Sequence, residues 1–426
     1  MLYKFKGYIY QLVRNSLALN SSVLILSSLL SQGINFFCYP FLTRIVPAVS
    51  FGEFALLTSY VSIFSIFAFG RLELLIPKFK TSEERIELFQ ACVLFFVFVL
   101  GIIIVCTYFF SGYFFEFSKM EIIRGWLVSV ITTFVTTSFL NLINSYQIAL
   151  GSFSFLGFIR ILNPLCLVGF TYLFSSSHDG YMALVYGING ANLLSITLAL
   201  FNVFHYKKEV WRMSSFERAL EIFRANKRMI FINAPHAVID SFQTNLMNFS
   251  IGRFYTIESL GQYSMANRLV KAPMTTISSS ISQVFYKEVF NFIDNKESLK
   301  RYVYKIFLIL VALSLVVSAV IVFFVKFLFF SFFTEAWTEA SYLMLVLLPW
   351  LVGNFVSSPL SQITILKNKQ FEGMFFGFFY NFLTIASLYW CGRSSLGLIP
   401  NLLLTSFIAL VVNVVFIWWI LRVIDE

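Results

Sequence analysis

The sequence predicts an all-α polytopic membrane protein, with twelve transmembrane helices in two six-helix lobes related by a pseudo-two-fold axis along the membrane normal. Three observations predict it. Hydrophobic residues make up 58% of the 426-residue chain and charged residues 12%, against about 25% charged in a soluble domain. Apolar runs of roughly 20 residues, the length that crosses a bilayer as a helix, recur twelve times. The start of the first half is echoed at the start of the second.

The elements follow in order. The opening MLYKFKGYIYQLVRNSLALNSS is basic and amphipathic. It lacks a short apolar core followed by a small-residue cleavage site, and reads as a retained cytoplasmic segment. The spans fall near 18–42, 52–76, 87–110, 124–149, 153–174, 181–204, 229–252, 259–285, 303–325, 338–366, 371–391 and 396–420. The fourth, seventh, eighth and tenth are diluted by Ser, Thr, Asn and charge. Polar spans line a cavity or a helix interface. The hydrophilic stretch 205–228 divides the chain into an N-terminal lobe, 1–204, and a C-terminal lobe, 229–426.

Cations between the spans set the orientation. With both termini cytoplasmic, 21 of the 31 Lys and Arg residues fall on inside segments, 6 on outside segments and 4 within spans. One missed helix would invert every later loop, so this asymmetry supports the count. The internal repeat agrees. Arg44 is followed by Phe51, Gly52 and Phe54, and Arg253 by Leu260, Gly261 and Tyr263, at an offset of 209 residues. Six spans per half is an even number, so the halves run parallel, and a central cleft between them is the natural transport path.

Composition and motifs exclude several classes. The net charge of +10 is spread over short loops with no basic domain, which argues against nucleic acid. Cys38, Cys92, Cys106, Cys166 and Cys391 lie in or beside apolar runs without a CxxC pair. They read as small buried hydrophobes, with neither a metal site nor a disulfide framework. Three histidines, no HExxH, no nucleophile elbow and no GxxxxGK[ST] loop leave no enzyme chemistry, no cofactor and no ATP-driven step.

The informative residues are ions placed where lipid is expected, since a charge near the bilayer centre costs roughly 2.5–3.5 kcal/mol on insertion scales. Arg268 and Lys271, three residues apart in the eighth span, share a helix face near the midplane. A cavity role is favoured over a structural ion pair. Asp240, at similar depth in the seventh span, either neutralises them or is a proton or sodium site. For Arg160, about 10 Å into the fifth span, a cavity role and snorkelling stand level. Arg71 and Glu73 lie close to Pro77, two residues apart and so on different faces. For Arg71, snorkelling or local pairing is favoured. His236 reads as a satisfied buried histidine. The candidate set is Arg268, Lys271, Arg160 and Arg71 for an anionic cargo, and Asp240 and Glu73 for ion coupling.

SQGINFFCYPFLTRIVPAVSFGEFALLTS (31–59), FGRLELLIPK (69–78), GQYSMANRLVKAPMTTISSSISQVFYKEV (261–289) and AWTEASYLMLVLLPWLVGNFVSSPLSQI (336–363) resemble, in order along both halves, bacterial Wzx-type polysaccharide flippases of the multidrug/oligosaccharidyl-lipid/polysaccharide exporter superfamily. The resemblance implies a two-lobed, V-shaped fold and alternating access. It also implies export of undecaprenyl-pyrophosphate-linked oligosaccharide, such as an O-antigen unit of lipopolysaccharide, across the bacterial inner membrane. Membrane lipids are implied partners, with room for a polysaccharide polymerase and a chain-length regulator. Such a cargo needs cations for its phosphates, where the planar fork of Arg suits two oxygens at once. It also needs polar groups for its sugars. Asn233, Gln243, Asn245, Asn248, Ser278, Ser279, Ser280, Ser282 and Gln283 are candidates, although interhelical hydrogen bonding is the favoured role for any one of them. A multidrug or other small-molecule exporter of the same architecture is the rival reading. Such an exporter of cations favours acidic cavity residues over basic ones. A membrane-embedded glycosyltransferase or polymerase would need a large hydrophilic loop, which the sequence lacks.

Overall fold

The computed structural model describes residues 16–79, 81–118, 125–178, 180–206, 216–289, 296–367, 369–394 and 396–425. Among them every regular element is helical. The principal helices are α1 (Ser16–Ile45), α2 (Ala48–Phe67), α3 (Ser82–Ser118), α4 (Trp126–Ala149), α5 (Phe153–Ser175), α6 (Gly180–Phe201), α7 (Phe216–Ala225), α8 (Ala234–Phe254), α9 (Ile257–Val289), α10 (Lys296–Phe323), α11 (Thr338–Val346), α12 (Leu348–Leu360), α13 (Gln370–Arg393) and α14 (Leu398–Asp425).

Among the described residues, eight helices are long and apolar enough to cross a membrane, or nine if the α11–α12 pair, bent by 45°, is one span. α8 and α9 are long but more polar. α9 carries Arg268, Lys271 and a Ser/Thr-rich second half within its 33 residues. The crossing helices present apolar side chains outward: Phe98 and Tyr108 on α3 are 65% and 68% exposed, and Trp390 on α13 is 77% exposed. Faces of this kind fit lipid rather than water.

The expected second span, 52–76, is not one helix. α2 stops at Phe67. A turn follows in which Gly70 and Arg71 both adopt positive φ, 58° and 65°, and a 3-10 helix runs from Leu72 to Lys78. Gly70 enters the left-handed region at little cost, and Pro77 lacks the N–H that a continuing α-helix would use. α3 then starts behind Thr81, whose side chain caps it. Thr81 Oγ1 accepts from the Glu84 backbone N–H at 3.4 Å and donates to Glu84 Oε2 at 2.6 Å.

The chain divides into two compact units, Met1–Val46 with Glu53–Asn245, and Pro47–Gly52 with Leu246–Glu426. In the first, α5 packs on α1 and α6, α6 packs on α4, and the 3-10 helix lies against α3 and α4. Small residues bring backbones close: the Cβ position of Gly157 on α5 lies 3.1 Å from Ser27 Cβ on α1. Side-chain amides join α4, α5 and α6. Asn163 donates to Asn192 and Ser195, and Asn192 donates to Thr137. α7, from the middle of the predicted linker, packs on α3. Its Arg218 reaches Glu87 at 3.0 Å and Glu221 at 2.8 Å, exposed pairs that contribute little.

In the second unit α14 packs on α12 and α13, and α9 packs on α11 and α12. Ser357 donates to Asn413 Oδ1 at 2.7 Å, tying α12 to α14. Ser278 of α9 donates to the carbonyl of Phe355 at 3.0 Å.

Candidate functional site

The first unit holds a cleft of about 930 Å³. Four kinds of segment build it: the end of α2 with the turn after it, the 3-10 helix, one face each of α4 and α8, and Arg160 from α5. α4 contributes Thr137, Asn141, Asn144, Ser145 and Ile148, and α8 contributes Ala237, Ser241 and Asn245. Both sets recur every three to four residues, the spacing of one helical face. Ser62 and Ser65 enter from α2, and Arg71 and Glu73 from the connection after it.

Three sequence candidates therefore meet in one place. The break after Phe67 brings Arg71 and Glu73 onto the same cleft, although a continuous helix would point them apart. Arg71 Nε donates to Asn233 Oδ1 at 3.3 Å. Its left-handed backbone, at φ 65°, costs a side-chain-bearing residue roughly 1–3 kcal/mol, and such strain concentrates at functional sites. Glu73, beyond the end of the spanning helix, is 8% exposed, and its Oε2 has no hydrogen-bond partner among the described residues. Burial pushes its carboxyl up to about 7, against the opposing pull of the Arg71 charge. Arg160 is half-buried, and its Nη1 donates to Ser28 Oγ of α1 at 2.8 Å. The cleft thus combines two guanidinium groups, one buried carboxyl, three amides and several hydroxyls. Asn144 Oδ1 and Ser65 Oγ on its lining are also buried without a partner within the described chain. Buried polar atoms of this kind are rare in a packed core and need an explanation.

The other candidates are distributed differently. Asp240 lies on α8, but its side chain, like those of His236, Gln243 and Gln283, falls outside the described residues. Arg268 and Lys271 belong to the second unit and are half-buried on α9. The Lys271 ammonium sits 5.3 Å from the centre of the Trp350 ring on α12, a cation–π arrangement. Among the proposed sugar contacts, Asn245 lines the cleft and donates to Ser62 Oγ at 2.9 Å. Asn233 accepts from Arg71, Ser278 bonds across to α12, and Ser279 and Ser280 bond back to Thr276 on their own helix. Sequence alone does not single out the polar face of α4 residue by residue. Its signal is the Ser, Thr and Asn dilution of the fourth span.

Several solved structures share the fold. A multidrug resistance MATE family transporter of the MOP superfamily, in its inward-facing conformation, aligns over 92% of this chain and 94% of its own at 12% identity and a TM-score of 0.71. The lipid II flippase MurJ, in an inward closed conformation, aligns over 96% of this chain and 87% of its own at 14% identity and a TM-score of 0.66. A mutant MATE transporter VcmN of Vibrio cholerae aligns over 98% of this chain and 97% of its own at 13% identity and a TM-score of 0.62. At these identities the likeness speaks for the fold alone. No curated protein matches the sequence. The sequence model of the family described as "Polysaccharide biosynthesis protein" matches residues 41–342, so the chain belongs to that family.

Proposed function

We propose that this protein is a flippase that moves an undecaprenyl-pyrophosphate-linked oligosaccharide across the bacterial inner membrane by alternating access. Twelve spans in two six-helix lobes, with both termini cytoplasmic, carry the movement, and an ion gradient drives it. The single observation that supports this reading most is the cleft of about 930 Å³ in which Arg71 and Arg160 stand among amides and hydroxyls. Guanidinium groups offer paired donors to phosphate oxygens, and the amides and hydroxyls match sugar hydroxyls. Arg268 and Lys271 form a second cationic stretch on α9 that an anionic headgroup meets along its path. Glu73 and Asp240 are the ion-coupling candidates. A proton on Glu73 removes a negative charge from the cleft that holds the two arginines, so proton uptake and anion binding favour one another. Family membership and the shared transporter fold fit this assignment.

The test is export of surface polysaccharide in cells that depend on this chain, with membrane abundance measured in parallel. Arg160→Ala and Arg268→Ala are expected to lose export at normal abundance. The corresponding Lys variants recover part of it at most, because Lys supplies charge without the planar fork. Full export in both Ala variants would remove these residues from the path. Intact polysaccharide with altered resistance to cationic drugs on deletion would favour the multidrug exporter.

A further inference from the structure

The second unit holds a cavity of its own, of about 270 Å³, walled by α12, α13 and α14. Small-molecule sites start at roughly 300 Å³, so there is room for one ring and little more. None of the lining side chains is charged. A phosphate would call for a cation here and a cationic drug for a carboxylate, so the chemistry points to an uncharged guest. Asn354, Ser357, Ser358 and Ser361 line the cavity from α12, at the spacing of one helix face. Ser357 is bonded to Asn413 of α14, and Ser361 to the Ser358 carbonyl, at 2.7 Å each. The side chains of Asn354 and Ser358 make no hydrogen bond among the described residues. From α13, the Tyr380 hydroxyl is buried beside the Trp350 indole, and neither completes a hydrogen bond of good geometry.

The rest of the wall is aromatic. Phe376 of α13 and Phe416 of α14 stand 5.4 Å apart, and Trp419 backs them at 5.1 and 5.9 Å. A pyranose has a surface of both kinds. Its hydroxyls donate and accept, as an amide does, and its C–H faces are apolar and pack on aromatic rings. α13 makes the room. Its first half, QFEGMFFGFFYNF, is crowded with Phe, yet Gly373 and Gly377 line the cavity, four residues apart. Glycine weakens a helix relative to alanine. Close packing does not require it at 377, where a methyl group would meet nothing within 4 Å. The missing side chain keeps the cavity open instead.

We propose that this cavity is a sugar subsite, which holds one uncharged pyranose unit of the transported oligosaccharide. Asn354 and Ser358 meet its hydroxyls, and Phe376 and Phe416 meet an apolar face of its ring. The inference rests on the transport reading above.

The experiment uses the full chain, purified in lauryldimethylamine oxide so that no detergent sugar competes. It is titrated with the methyl glycosides of glucose, galactose, N-acetylglucosamine and glucuronic acid, and saturation-transfer NMR reads the contact. Gly377→Leu tests the space, because a helical Leu leans over the preceding turn, towards Gly373. Asn354→Ala tests the polar edge. The subsite predicts that a neutral glycoside binds and that the glucuronide binds more weakly. Gly377→Leu should abolish binding and Asn354→Ala weaken it about fivefold to tenfold. Both should lower surface polysaccharide at normal membrane abundance. If Gly377→Leu reduces abundance, Asn354→Ala, which breaks no bond among the described residues, decides. Absence of glycoside binding, or binding that Gly377→Leu leaves intact, would overturn the proposal. A glucuronide that binds as well as the neutral glycosides would refute the uncharged guest. Lost binding with full export would give the cavity to a free sugar and overturn its assignment to the cargo. Failure of the transport reading shows separately, as unchanged surface polysaccharide when the chain is deleted.

Discussion

Glu73→Gln tests the chemistry of the cleft most directly. Burial raises the Glu73 carboxyl from its ordinary value of 4.5 to about 7. That difference corresponds to about 3 kcal/mol of preference for the neutral form, at 1.36 kcal/mol per pH unit. The sign follows from linkage. Below pH 4.5 the folded and unfolded states both hold the proton. As pH rises from 4.5 towards 7 the unfolded state releases it first, so the folded protein loses stability, and the loss levels off above pH 7. Glutamine carries no proton to lose. Relative to the native protein, the variant should therefore gain up to about 3 kcal/mol as pH rises from about 4.5 to about 8. At about 2.1 cal/mol/K per residue, this is roughly 3 °C in melting temperature for a chain of this length. Thermal unfolding followed by tryptophan fluorescence in a mild detergent, from about pH 5 to about pH 8, measures it. A native protein and a Glu73→Gln variant that melt in parallel across that range would refute the buried carboxyl. The same variant should also bind anionic cargo at about pH 8 as the native protein does at about pH 6.

Two further predictions concern the fold. Reporter fusions after Arg228 and after Arg393 should report opposite compartments, and agreement between them would break the twelve-span topology. Gly187→Ala puts a methyl group into Thr171 Oγ1 and 3.0 Å from the Leu167 carbonyl oxygen, which should cost about 1–3 kcal/mol and lower membrane abundance. Gly33→Ala meets nothing within 4 Å and should leave abundance unchanged or slightly raised, because Ala favours a helix over Gly. Equal abundance of the two variants would refute the packing argument.

The membrane class and the helical composition are legible in the sequence, because each depends on properties that a single segment carries alone. An apolar run of about 20 residues has to bond its own backbone in lipid, whatever surrounds it. Ions within the spans stand out for the same reason, as does the dilution of the fourth and seventh spans by Ser, Thr and Asn. Their assembly is not legible. A continuous helix puts Arg71 and Glu73 on different faces, and it is the left-handed turn at Gly70 and Arg71 that brings both to the cleft. For Arg160, the residues themselves favour neither snorkelling nor a cavity role. Contact with Ser28, 132 residues earlier, and the facing surfaces of α4 and α8 put it on the cleft lining. Local periodicity is written within one helix, whereas a cleft is closed by partners as distant as Ser62 and Asn245, 183 residues apart. Only packing in three dimensions chooses which polar faces meet.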